Sequence, residues 1–89
     1  MDKNLKNLRK QIDEIDQEMM NLFIKRMDIV SYIAQTKAIN KIDTIDLNRE
    51  KEILEKINNN SNNLIKSYYS KVQKVLFEIS KEYQKTLKF

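Results

Sequence analysis

No glycine, proline, cysteine or histidine occurs in the 89 residues of this chain, and each absence closes off a class of structure or chemistry. Without glycine or proline the usual turn-makers are missing, which argues against many-stranded sheets and against the glycine-rich loops that cradle nucleotides. Without cysteine there is no disulfide, no thiol nucleophile and no thiolate metal site. Without histidine the commonest general base and the commonest metal ligand are gone as well. No apolar run approaches the length of a membrane span. The N-terminus lacks the charged start and apolar core of a signal peptide, so the expected setting is the cytoplasm. The length leaves room for one domain, residues 1–89, with a modest core, and makes association with a further chain an attractive source of burial.

What the sequence has is helical periodicity. From Lys3 to about Ala38 the apolar residues fall at Leu5, Leu8, Ile12, Ile15, Met19, Leu22, Ile29 and Ile33, stepping by threes and fours along one helical face. Some 36 residues at 1.5 Å each make a rod of roughly 54 Å. A lone globule of this length has a radius of gyration of about 12 Å and is about 30 Å across. The rod does not fit inside its own monomer, and its apolar stripe implies that a second chain covers it.

The stripe has two faults. The step after Leu22 lands on Arg26, and the step after Ile33 lands on Lys37. One buried-side cation can set register or snorkel to water. Two on one face, about 16 Å apart along the axis, suggest the walls of an anion pocket instead, because an unpaired charge facing a core is costly. Composition adds weight to one of them. The net charge of +4 comes from 17 basic and 13 acidic residues, and only Arg9, Arg26 and Arg49 among the basic ones are arginine. Where lysine serves for generic charge, the arginines mark sites that need a planar, bidentate fork for a carboxylate.

Further along, Ala38 to Ile45 reads as a connector, with Asp43, Thr44 and Asp46 as candidate N-caps. A second helix is expected over Leu47–Asn58, its stripe formed by Leu47, Leu54 and Ile57 with Ile53 alongside, Glu50 within it and Arg49 flanking it. The run Asn58 to Asn63 is rich in turn-tolerant residues. A third helix follows from about Leu64, with Ile65, Tyr68 or Tyr69, Val72, Val75, Leu76, Ile79, Tyr83 and Leu87 expected on its inner side. The architecture is all-α, three helices in the order long, short, long.

These residues carry a resemblance. Leu8-Arg9-Lys10-Gln11-Ile12-Asp13-Glu14-Ile15-Asp16 is similar to the opening of the all-helical chorismate mutases, and the pattern continues through Lys25-Arg26-Met27, Lys37, Asp46-x-x-Arg49-Glu50 and Ser80-Lys81-Glu82-Tyr83-Gln84. The resemblance spans about Leu5 to Gln84. It implies an intertwined homodimer with two sites, each built from three helices of one chain and the first helix of the other. The reaction it implies is the Claisen rearrangement of chorismate to prephenate, at the branch to phenylalanine and tyrosine, with no cofactor and no metal.

The resemblance also assigns roles. Arg26, and Arg9 from the partner chain, would bind the two carboxylates of the substrate. Lys37 and Gln84 would converge on the ether oxygen, and Glu50 would accept from the ring hydroxyl with the backbone near Asp46 assisting. Ser80 would assist a carboxylate, and Arg49 would complete the positive lining or hold Glu50. Asp46 reads equally well as a plain N-cap. The third helix has two possible registers, with Ser80 and Gln84 preferred over Gln84 and Lys88 because both residue types then match.

Other readings stay open on the sequence. An isochorismate pyruvate-lyase uses the same scaffold and cationic pocket. A non-catalytic helical interaction module would employ Arg26 and Lys37 only to set register. A nucleic-acid binder is disfavoured despite a pI near 9.3, because the lysines are spread over all faces and alternate with acids. The chain reads equally as free-standing or as one part of a fused aromatic-pathway enzyme.

Overall fold

A computed structural model describes residues 2–43, 45–59 and 62–87, with only the backbone at 2 and 3. It contains three helices, α1 (Asp2–Ile39), α2 (Leu47–Asn58) and α3 (Asn63–Thr86), and no strand among the described residues. The all-α expectation and the long–short–long order are therefore met. Thr44 and Lys88, named above as a possible N-cap and in the alternative register, lie outside the described residues.

The 38 residues of α1 form a rod that sets the molecule's 58 Å long axis. Its radius of gyration is 16.9 Å, well above the roughly 12 Å of a compact chain of this size. α3 packs against both α1 and α2. The buried core is small and lies at the C-terminal half of the rod, where Val30 and Ala34 of α1 meet Phe77 of α3, with Gln73 and Ser80 also buried. Residues 4–22 of α1 are exposed throughout. Along them the stripe from Leu5 to Leu22 keeps 48% to 63% of its surface in water. Covering six such half-exposed residues is worth on the order of 5–10 kcal/mol.

The inner face of α3 differs from the sequence expectation. Gln73, Phe77 and Ser80 point inward, while Ile65, Tyr68, Tyr69, Val72 and Val75 are exposed. Leu76, Ile79 and Tyr83 are half-buried between the two sets. The helix carries two adjacent stripes at helical spacing. Only the one led by Phe77 faces α1 and α2 of the same chain, and apolarity alone favours the other.

Two caps shape the connector that brings α2 over the site. The end of α1 is a Schellman motif: Ile42 N–H donates to the Lys37 carbonyl at 2.8 Å and Lys41 N–H to the Ala38 carbonyl at 3.3 Å. This closure normally uses glycine in the left-handed region. Here Lys41 adopts φ 55°, a conformation disfavoured for a residue with a Cβ. At the other end Asp46 caps α2, its carboxylate accepting from Arg49 N–H at 3.0 Å. Asp43 instead accepts from Ile45 N–H two residues on, at 3.1 Å, and so shapes the connector without capping α2. Asn62 caps α3 in the same manner, accepting from Ile65 N–H at 3.1 Å. Replacing Lys41 by glycine is expected to stabilise the chain by about 1 kcal/mol. A rise in Tm of a few degrees checks this; an unchanged or lowered Tm counts against the strained cap.

Candidate active site

The core contacts leave a cavity of about 440 Å³ between α1, the N-terminus of α2 and the C-terminal half of α3. That is within the ordinary range for a small-molecule site. From α1 come Arg26 and Lys37 with Ile29, Val30 and Ile33 between them. Arg26, Val30 and Lys37 recur at helical spacing, which is why the two faults in the stripe share one wall. The start of α2 supplies Asp46, Arg49, Glu50 and Ile53, and α3 supplies Phe77, Ser80, Lys81 and Gln84. Seven of the eight residues singled out on the sequence thus border one cavity. The exception is Arg9, seventeen residues before Arg26, or about 25 Å along the rod, on the exposed part of α1.

Charge in the cavity is lopsided. Four cations, Arg26, Lys37, Arg49 and Lys81, stand against two carboxylates, Asp46 and Glu50, a surplus of two positive charges. Apolar walls from Val30, Ile53 and Phe77 lower the local dielectric and strengthen each interaction with a bound anion. The α2 N-terminus adds its partial positive charge. An organic dianion with an apolar body suits this lining.

Individual partners refine the picture. Arg26 Nη1 donates to Ser80 Oγ at 2.6 Å, part-buried between α1 and α3. A neutral acceptor orients the guanidinium and leaves its charge for a ligand. Ser80 therefore positions Arg26 across the helices. Gln84 Oε1 is buried without a hydrogen-bond partner among the described residues, so the amide is uncommitted on that side, and such a vacancy is costly unless a site requires it. Asp46 combines capping with lining, its carboxylate occupied by Arg49 N–H.

Arg49 does not hold Glu50. Its guanidinium pairs with Glu52, one turn on along the solvent side of α2. Glu50 instead pairs with Lys81 Nζ at 3.2 Å, and Lys81 also reaches Glu78 at 3.3 Å. The ammonium is held above the ordinary lysine range, chiefly by the hydrogen bond to Glu50 and to a smaller extent by Glu78, against a lowering by desolvation. Lys81 went unassigned on the sequence because Glu50 is 31 positions away and no local pattern links them; its place three residues before Gln84 was the available signal.

The cavity opens along α1, where Ile29 and Ile33 remain 58% and 44% exposed. The sequence profile described as chorismate mutase type II matches residues 8–85. The chain belongs to the type II chorismate mutase family.

A curated relative, the bifunctional chorismate mutase/prephenate dehydratase of Buchnera aphidicola subsp. Schizaphis graminum (strain Sg), is 35% identical over 86 residues, covering 94% of this chain and 22% of the relative. The chain thus spans about a fifth of that protein's length. No solved structure gives a significant match. As a type II chorismate mutase family member the chain carries its cavity within the matched segment, from Arg26 to Gln84. Among the described residues no helix is long and apolar enough to cross a membrane.

Proposed function

We propose that this chain is a chorismate mutase, an isomerase that converts chorismate to prephenate in aromatic amino acid biosynthesis, and that it acts as a homodimer. The observation that carries the reading is the cavity itself: two surplus positive charges around apolar walls, in a member of this family. Chorismate is a dianion with an apolar ring. Its rearrangement breaks the ether C–O bond while a C–C bond forms from the enolpyruvyl methylene to the ring. No group is transferred to the protein and no proton is moved, so the absence of histidine and cysteine is no obstacle.

Two kinds of help remain for the protein to give. One is to hold the flexible substrate with its reacting carbons together, which removes much of the entropic part of the barrier. Arg26, set by Ser80, takes one carboxylate in this scheme. Arg9 of a second chain takes the other, entering where Ile29 and Ile33 leave the cavity open. The second kind of help is electrostatic. Negative charge gathers on the ether oxygen as the bond breaks, and preorganised donors there lower the barrier. Lys37 supplies the charge and Gln84 an amide N–H. Glu50 accepts from the ring hydroxyl, and Arg49 adds to the positive lining from the rim.

The exposed stripe from Leu5 to Leu22 supports dimerisation, since it is a continuous apolar face with nothing over it among the described residues of one chain. A bicyclic dicarboxylate that mimics the transition state tests both parts. Titration should show one molecule bound per chain, tighter than prephenate by at least about a hundredfold, and light scattering at micromolar concentration should show a dimer. Failure to bind would leave a non-catalytic helical module as the better reading. A folded monomer would refute the shared site.

A further inference from the structure

Resting on that reading, one cavity residue has no role in the reaction so far. Lys81 faces the cavity from α3, next to Ser80 and three residues before Gln84. Its ammonium sits 3.2 Å from Glu50 Oε2, and both side chains are 22% exposed. The Glu78 carboxylate on its other side is far more open to water. Glu50 lies in the first turn of α2, where no residue of the helix is buried, so little apolar packing fixes its side chain. The carboxylate has two oxygens with capacity for several donors, and Lys81 engages one of them.

We propose that Lys81 is a positioning residue for the reaction: by holding one oxygen of Glu50 it keeps the other aimed at the hydroxyl on the substrate ring. Without it, the Glu50 carboxylate is free to rotate, since no residue of α2 is buried and no other ion pair across the helices holds it among the described residues. It then abandons the ring hydroxyl. The same contact bridges α2 to α3 across a linker lacking proline and glycine, so a purely structural tether is the competing account. The raised lysine value agrees with the pairing: the ammonium keeps its charge through neutral pH and loses it as pH rises through that elevated value.

The test compares chorismate with an analogue lacking the ring hydroxyl. In Lys81→Ala, kcat/KM for chorismate should fall about tenfold, with Lys81→Arg restoring most of it. For the deoxy analogue, wild type and Lys81→Ala should be equal within a factor of about two. The double variant Lys81→Ala/Glu50→Gln should be no worse than Glu50→Gln alone. If Lys81→Ala does not fold by circular dichroism, Lys81→Met keeps the aliphatic stem and takes its place. Undiminished turnover of chorismate in an active background would overturn the inference. So would equal losses on both substrates that add to the loss from Glu50→Gln, since they mark a tether only. An inactive wild type would overturn the chorismate reading, and this inference with it.

Discussion

Lys37→Ala should lose at least about a hundredfold in kcat while remaining folded and dimeric. Removal of one donor from a preorganised oxyanion site costs about 3 kcal/mol in typical enzymes, and Lys37 contributes a full charge. Its position suits that task. Lys37 lies in the last turn of α1, where the Schellman closure on its own carbonyl fixes the backbone that carries it. The charge is needed chiefly as the ether bond breaks, so kcat should fall much more than affinity for the substrate changes. Gln84→Ala, which removes a neutral donor, should be milder than Lys37→Ala. Steady-state kinetics with circular dichroism as the fold control decide the matter. Near-normal turnover in Lys37→Ala would remove that residue from the transition state.

The second large effect concerns the first helix. Arg9 and Arg26 are about 25 Å apart on one rod, so a single small dicarboxylate cannot touch both in one chain. An antiparallel partner that crosses near the middle of α1 brings Arg9 of one chain to the cavity of the other. Arg9→Ala and Lys37→Ala should then each be inactive alone, yet partly rescue one another when co-refolded. Each mixed dimer would hold one intact site and one site with both lesions. Random pairing makes half the dimers mixed, so activity should return to about a quarter of wild type, as an isologous two-fold requires. No recovery despite verified subunit exchange would place Arg9 on the surface and leave the cavity complete within one chain.

The sequence carried much of this. The 3–4 step foretold the extent of α1, because no glycine or proline in its 38 residues breaks the helix. The boundaries of α2 were legible from Asp46 and the asparagine run, since capping and turn chemistry are local. Arg26 and Lys37 stood out because a cation on an apolar face violates the pattern, and such violations mark sites. Tertiary choices were not legible. Of the two stripes on α3 the more apolar one is exposed, and only the packing against α1 shows that Phe77, not Val72, faces inward. The exchange of ion-pair partners, Arg49 to Glu52 and Glu50 to Lys81, depends on how α2 leans on α3. Arg49 and Glu52 are one turn apart and could have been paired on spacing. Glu50 and Lys81 belong to different helices, and no period connects them. The Schellman closure at the end of α1 was hidden as well, because Lys41 takes a conformation for which glycine is the usual signal.

The most direct measurement is product formation by the wild-type chain supplied separately with chorismate and with isochorismate. Chorismate should give stoichiometric prephenate, at a rate far above the uncatalysed reaction and without added metal or cofactor, and isochorismate should release little pyruvate. Pyruvate release from isochorismate with chorismate left unchanged would make the same cavity a lyase site, and no acceleration with either substrate would contradict an enzymatic role.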